Sequence, residues 1–450
     1  DAQESRGLGD VYKRQDEKGR TVHITRRALL TTVGGIAAAA TLTSCAGTGG
    51  SSAGGGDPKN IRFMSNHPGK SQALEQKIID AFVAENPEYS VELIDGGSDY
   101  EELAQKFNAQ LAGGDVPDIV VASDVTWFPL ALNEAITPMD ELWSSGKVDS
   151  DDYVDTLRED YVFEGKHYGL PYSRSTPLFY FNSELWEKAG LDGAPTTWDE
   201  FDEMAAKLLK DNPDVAPLVV PDGSNYLDWY FQGMIWTFGG SYSKEWDMAF
   251  TDDKSLEAGR FLAEQVNKGH IKITADPTNE FGTGLAGALL ESTGSLGGLK
   301  EQAAIEFDTA YLPGPKPGCP TGGAGLAITN KIDDERKASA MKFVEFATNQ
   351  DNTVTFSQAT GYMPVRKSAL EHPDEQAYLK DEPRAQTAID QLAENTQSQD
   401  YARCFLPGGG DRIGEGLDRI TTGGEDVEKI FEELQKQSQE VYERDIEPKL

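Results

Sequence analysis

The residues best suited to chemistry are a short glycine run and the arginine that follows it. In Gly408-Gly409-Gly410-Asp411-Arg412, unhindered backbone N–H groups stand beside a guanidinium able to grip two oxygens of one anion. Such a pairing could hold a phosphate. It is no nucleotide loop, because no Gly-Lys-Ser/Thr follows the glycines. Arg174, within Ser173-Arg174-Ser175-Thr176, and Arg366 are further candidates for an anion contact. Tyr226, Trp229, Tyr230 and Trp236 offer flat faces for sugar C–H groups, with Ser, Asp and Asn side chains to satisfy hydroxyls. These four aromatics do not share one helical face, so some of them belong to the core. Tyr226 and Trp229 are carried forward as ligand candidates.

No catalytic pattern stands out. The five histidines include no HExxH, and Cys45, Cys319 and Cys404 form no CxxC or clustered metal-ligand spacing. Ser65, His67 and Asp308 cannot be assembled into a triad from their spacing, and nothing singles out a glycosidase pair among the acids. The chain is expected to be no enzyme and to use neither metal nor cofactor. Lys and Arg number 41 against 76 Asp and Glu, a formal charge of -35. That field repels nucleic-acid phosphates and anionic headgroups, so nucleic acid is not an expected partner. A local pair of arginines can still dominate a small cleft.

The elements that position these residues follow an export signal. Arg26 and Arg27 precede a weakly apolar run from Ala28 to Leu42, and Cys45 comes directly after Leu42-Thr43-Ser44. A basic n-region and a short apolar stretch make a signal peptide over 22–44, too short and too rich in Gly, Ala and Thr for a membrane span. Thr25-Arg26-Arg27-Ala28-Leu29-Leu30 resembles a twin-arginine export signal, although ordinary signals also carry paired arginines, so the Tat and Sec routes both stay open. Leu42-Thr43-Ser44-Cys45 resembles the bacterial lipobox, which implies that Cys45 carries a lipid and that 45–57, rich in Gly and Ser, is a flexible tether. The polar stretch 1–21, rich in charges of both signs, is unlike the start of a signal peptide and is set aside as an extension foreign to the fold.

Beyond Pro58, periodicity predicts strands at Ile61–Met64, Val91–Ile94 and Ile119–Ala122, and helices over Gln72–Glu85 and Tyr100–Leu111. Alternation of this kind predicts an α/β fold with a mostly parallel sheet. A change of texture after Tyr161 marks a crossing into a second lobe, with helices near Asp199–Lys210, Tyr226–Phe238 and Leu256–Lys268. Phe307–Tyr311 is expected to return to the first lobe, followed by a helix capped by Asp333 and a long final helix from Glu425. The lobes are thus assigned as 58–168 with 305–355, and 172–300 with 356–450. Each apolar stripe is core packing taken alone. Together they describe two lobes with a cleft between them, a place to bind a solute.

Four stretches carry a family resemblance: Phe82-Val83-Ala84-Glu85-Asn86-Pro87, Gly113–Ile119, Gly169-Leu170-Pro171-Tyr172 with Phe179-Tyr180-Phe181-Asn182, and Gly361-Tyr362-Met363-Pro364-Val365-Arg366. In this order they resemble the extracytoplasmic solute-binding proteins of carbohydrate ABC transporters. Within that family, Asp99-Tyr100-Glu101-Glu102, Ser175-Thr176-Pro177, Gly294-Ser295-Leu296, Gly322-Gly323-Ala324, Gly361-Tyr362-Met363-Pro364 and Pro407 through Arg412 resemble most the bacterial glycerol-3-phosphate binders. The resemblance implies a two-lobed periplasmic-binding-protein type II fold and a monomer that closes around a small polar solute. It further implies an ABC permease in the membrane as partner. Tyr100, Ser175, Ser295, Gly323, Tyr362 and Arg412 are its implied ligand contacts. The relatives place a ligand-binding Glu shortly after the first strand, where this chain has His67-Pro68-Gly69, and His67 could substitute for it. That departure leaves open a neutral sugar, glycerol-3-phosphate and a glycerophosphodiester. Cys319 and Cys404 are permitted to pair in an exported protein, but a bond between moving lobes would restrict closure unless it lay near the hinge.

Overall fold

The computed structural model describes residues 56–397 and 400–450. Stretches 1–21 and 22–44 and nearly all of the 45–57 tether, Cys45 included, lie outside the described residues.

The chain opens with β1 (Asn60–Ser65), α1 (Gln72–Glu85), β2 (Ser90–Asp95), α2 (Tyr100–Gly113), β3 (Ile119–Ser123) and α3 (Trp127–Leu132). Helix α1 buries Ile78, Ile79 and Phe82 and stops at Asn86, because the Pro87 ring disfavours a helical residue before it. In α2, Leu103 and Phe107 face inward, and Asp99 caps the helix by accepting from the Glu102 amide. The next strands are β4 (Leu170–Ser175) and β5 (Pro177–Asn182), followed by α4 (Trp198–Asp211), β6 (Leu218–Pro221), α5 (Leu227–Thr237), β7 (Ile271–Thr274), β8 (Ala288–Ser292), β9 (Phe307–Ala310) and β10 (Gly322–Ile328). Then come α6 (Asp334–Ala347), α7 (Gln350–Thr360), α8 (Tyr401–Cys404), α9 (Gly409–Thr421) and α10 (Val427–Val441).

Two five-stranded sheets organise these elements, in the orders β2-β1-β3-β10-β4 and β7-β6-β8-β5-β9. Each is mixed rather than mostly parallel. In the first, β1 runs parallel to β2 and β3, while β10 is antiparallel to β3 and β4. In the second, β6 is parallel to β7 and β8, while β5 is antiparallel to β8 and β9. The antiparallel strands are the ones by which the chain crosses between sheets. β4 and β5 are joined through Thr176, yet lie in different sheets.

Three expected boundaries are corrected by the pairing and contacts. Phe307–Ala310 does not return to the first sheet, because it pairs with β5 from Phe307↔Asn182 to Ala310↔Phe179. Residues 172–175, assigned to the second lobe, complete β4 of the first sheet against β10. Arg366, assigned to the second lobe as well, joins first-lobe residues: Tyr153 pairs with it, and its guanidinium donates to the Tyr153 hydroxyl at 3.0 Å.

The first core packs α1 on α6, where Phe82 meets Phe343 and Phe346 edge-on at 5.2 and 5.3 Å. Burying one such ring contributes about 1.5–3 kcal/mol. Asp333 caps α6 as expected, accepting from the Arg336 amide. Arg336 then reaches the buried carboxylate of Asp118 through Nε at 2.8 Å and Nη2 at 2.6 Å, fixing α6 against the entry to β3. Both sheets turn the carboxyl ends of their parallel strands toward one crevice. His67 follows β1, Val125 follows β3 and Gly223 follows β6 there, the position where open α/β sheets bind ligands.

Candidate ligand-binding cleft

That crevice has a volume of about 900 Å³. The first sheet's loops bring Asn66, His67 and Lys70 after β1, the amino end of α2 with Asp99, Tyr100 and Glu101, and Val125 after β3. The second sheet's side brings Asn225, Tyr226 and Asp228 at the start of α5, Arg403 from α8, and Gly410 and Asp411 from α9, with Tyr362 closing one end. His67 and Tyr226 hold left-handed backbone angles, at φ 56° and 72°. Non-glycine residues adopt such angles at a cost of order 1 kcal/mol, and they concentrate where a side chain must be aimed.

Two contacts cross the cleft. The Tyr226 hydroxyl donates to Glu101 Oε2 at 3.0 Å. Arg403 donates from Nη1 to Asp124 Oδ2 and from Nε to Asp228 Oδ2, each at 2.6 Å. Arg403 and Asp228 are each 2% exposed, so this is a desolvated ion triad at the cleft floor. Burial alone would lower the Arg403 pKa, and Asp228 and Asp124 outweigh it and hold the guanidinium above its ordinary value. Burial pushes the Glu101 carboxyl up to about 7, and Asp411 and Asp99 add to the shift. Burial also raises the two phenols at the far wall, Tyr362 to about 12 and Tyr100 well above the usual range.

Of the residues singled out in the sequence, His67, Tyr100, Tyr226 and Tyr362 line this cleft. Ser295 lines a neighbouring cavity of about 330 Å³ that shares Gly69 and Lys70 with the cleft's rim. The others stand behind the walls. Arg174 is fully buried, paired with Asp160 and donating to the Tyr161 hydroxyl at 2.9 Å. Ser175 is buried at the end of β4. Gly323 sits opposite Arg174 in β10 at φ 87°, where a Cβ would lie 1.9 Å from the Ser173 carbonyl oxygen. Trp229 donates to the Thr321 carbonyl at 3.0 Å and packs on Gly322, where a Cβ would come within 2.5 Å of the ring. Arg412 turns to the Pro407 carbonyl at 3.3 Å and Ser438 Oγ at 3.4 Å.

Arg403, not Arg412, is therefore the guanidinium that faces the cleft. Sequence reasoning missed it together with Glu101, Asp228 and Asp411. Its signal was slight, an arginine between Ala402 and Cys404 in a buried helical turn.

The suggested pairing of Cys319 with Cys404 does not occur. Cys319 Sγ lies 3.2 Å from Thr176 Oγ1, in a short strand paired with Thr396. Cys404 Sγ lies 3.3 Å from Arg403 Nη1 on α8. Both thiols are buried in separate settings. Among the described residues no group of three or more His, Cys, Asp or Glu could hold a metal ion, and no helix is long and apolar enough to cross a membrane.

Residues 77–386 match the family model described as bacterial extracellular solute-binding protein. The sn-glycerol-3-phosphate-binding periplasmic protein UgpB of Escherichia coli K12 is 25% identical over 352 residues, 74% of this chain and 80% of that protein. The crystal structure of UgpB from Mycobacterium tuberculosis in complex with glycerophosphocholine is 47% identical, with a TM-score of 0.83 over 86% of this chain and 99% of that one. Maltose-bound MalE3 of T. maritima shares the fold at 20% identity, with a TM-score of 0.74 over 85% and 99% of the two chains. With a two-sheet body, a cleft at the strand ends and these relatives, the chain belongs to the bacterial extracellular solute-binding proteins, the substrate-binding components of ABC importers.

Proposed function

We propose that the cleft captures a glycerophosphodiester carrying a cationic head group, of which glycerophosphocholine is the model, and presents it to the permease. The charge balance of the lining supports this reading most directly. Asp99, Glu101, Asp228 and Asp411 face only Lys70, Arg403 and His67 as basic groups. An acidic cleft disfavours a dianionic monoester such as glycerol-3-phosphate and tolerates a diester whose single negative charge is balanced within the ligand. Tyr100, Tyr226 and Tyr362 supply ring faces suited to a quaternary ammonium. The relative crystallised with glycerophosphocholine supports the same class. A neutral sugar is the second reading, favoured by the same tyrosines and by carboxylates that accept hydroxyl hydrogens.

Calorimetry against glycerophosphocholine, glycerol-3-phosphate and maltose separates these ligands. Binding of glycerophosphocholine at least about tenfold tighter than of the other two is expected, a difference of about 1.4 kcal/mol. Tight binding of maltose alone sinks the diester reading. The proposal extends to the anchor: a lipid on Cys45 moors a monomeric receptor outside the cell, and the glycine-rich stretch after it gives the receptor reach. Metabolic labelling with a fatty acid should mark the wild type and not Cys45→Ala. Labelling retained in the variant overturns it.

A further inference from the structure

Beneath the cleft wall, a histidine and a buried acid form a pair that the contacts across the cleft do not use. His67 Nδ1 lies 2.5 Å from Glu75 Oε2, and the Glu75 side chain is wholly buried. Glu75 is held in turn. Ser65 Oγ donates to its Oε1 at 2.7 Å, and the Tyr172 hydroxyl approaches the same oxygen at 3.4 Å. The backbone closes the arrangement, because the His67 amide donates to Ser65 Oγ at 2.9 Å in a left-handed turn. The imidazole is thus fixed in position and orientation by its Nδ1 side. Its Nε2 is buried, has no partner within the described protein, and belongs to a residue that lines the cleft. A carboxylate on Nδ1 requires the proton on that nitrogen and favours a second proton on Nε2.

We propose that Glu75 is a positioning residue that keeps His67 an imidazolium, so that His67 Nε2–H donates to a phosphoryl oxygen of the captured diester. This rests on the glycerophosphodiester reading and deepens it. The pair would serve as a positive pole in an otherwise acidic cleft. The His67 pKa is raised, the hydrogen bond to Glu75 being the first cause and burial opposing it. The charged groups around the ring are Asp95 at the end of β2, which adds to the rise, Lys70 on the same turn, and Asp99 and Glu101 on the cleft wall. Tyr100, Tyr172 and Tyr362 have raised pKa values and stay neutral at physiological pH.

The donor is present while His67 is charged and is lost as pH rises through its raised pKa, so diester affinity should fall on the alkaline side. A merely structural histidine would not give that profile. Glu101, pushed up to about 7, also titrates on the alkaline side of pH 6, so the profile is to be measured in Glu101→Gln. In that background glycerophosphocholine affinity should fall at least about tenfold as His67 loses its proton, the scale of one charge-assisted hydrogen bond. His67→Gln should flatten the profile and weaken binding by the same factor at pH 6. Glu75→Gln should move the fall to lower pH. The imidazole nitrogen resonances of His67, assigned by their loss in His67→Gln, give a readout that needs no ligand, and should report both nitrogens protonated at pH 6.

If wild type binds glycerophosphocholine while His67→Gln binds within twofold at every pH, the inference fails and the ligand reading stands. Resonances showing a neutral ring at pH 6 overturn it too. If wild type binds no glycerophosphodiester at all, the ligand reading fails and takes this inference with it.

Discussion

Glu101 carries a carboxyl that burial pushes up to about 7, against an ordinary value near 4.5. Between those values the folded protein holds a proton that the unfolded chain has released. Stability of the described form is therefore greatest below about pH 4.5 on this account and falls as pH rises to about 7, where the effect levels off. Glu101→Gln retains an oxygen for the Tyr226 hydroxyl and removes the charge, so its thermal midpoint should vary less than that of wild type between pH 5 and 8. At pH 8 the variant should be the more stable by about 1–2 kcal/mol, allowing for partial solvent exposure. Equal slopes for the two proteins would refute the assignment. Gly323 illustrates a different kind of residue. The resemblance marked it as a ligand contact, but its φ of 87° and the Ser173 carbonyl oxygen, 1.9 Å from where an alanine methyl would stand, demand glycine on structural grounds alone. Gly323→Ala should lower the urea midpoint by the equivalent of at least about 2 kcal/mol, whatever becomes of binding.

At the scale of elements, α8 is one short turn whose position decides where the cleft's guanidinium points. Asp400 anchors it. Its carboxylate accepts from the Tyr242 amide at 2.9 Å, the Ser243 amide at 3.0 Å, Ser243 Oγ at 2.6 Å and the Ala402 amide at 3.1 Å. Asp400→Ala leaves several buried donors unpaired and should cost about 3 kcal/mol in urea denaturation, with weaker ligand binding because Arg403 loses its seat. A loss under about 1 kcal/mol would show that water replaces the carboxylate. Much of this level was legible in the sequence. The helix Gln72–Glu85 announces itself through its apolar period and the Pro87 stop, and Trp198–Asp211 through its apolar period and Thr197 cap. Sheet membership was less legible. Phe307–Ala310 reads as a strand from local pattern, but nothing local distinguishes pairing with β5 from pairing in the other sheet. Arg403 was hidden for the same reason, since its partners Asp228 and Asp124 lie 175 and 279 residues away along the chain. Tyr100 and Tyr362 were found through the family resemblance, His67 as a departure from it, and Tyr226 as one of a cluster of aromatics able to face a sugar.

For the whole molecule, one loop of the first lobe and one turn of the second are pinned on two sides. On the cleft side Arg403 holds Asp124. On the side away from it, Phe405 stacks on Phe128 at 4.4 Å and 22° and meets Trp127 at 5.8 Å. Trp246 and Tyr401 complete the cluster, at 6.1 and 4.5 Å from the Phe405 ring. A ligand that bridges two lobes can bias closure only by its difference in affinity for closed and open forms, and any contact made in the bridged form alone adds to that bias. The Phe405 stack joins elements of the two lobes in the described form and is worth about 0.5–1.5 kcal/mol beyond simple burial. Phe405→Ala should therefore weaken ligand binding about three- to tenfold without touching the ligand, by lowering the population of the bridged form. X-ray scattering should show the compaction of the wild type on ligand addition reproduced in the variant only at proportionally higher ligand concentration. Trp127 and Trp246, which flank the ring, should report the same shift in their fluorescence. An unchanged affinity in a variant whose melting remains cooperative would mean that the lobes are held by the polar pin alone.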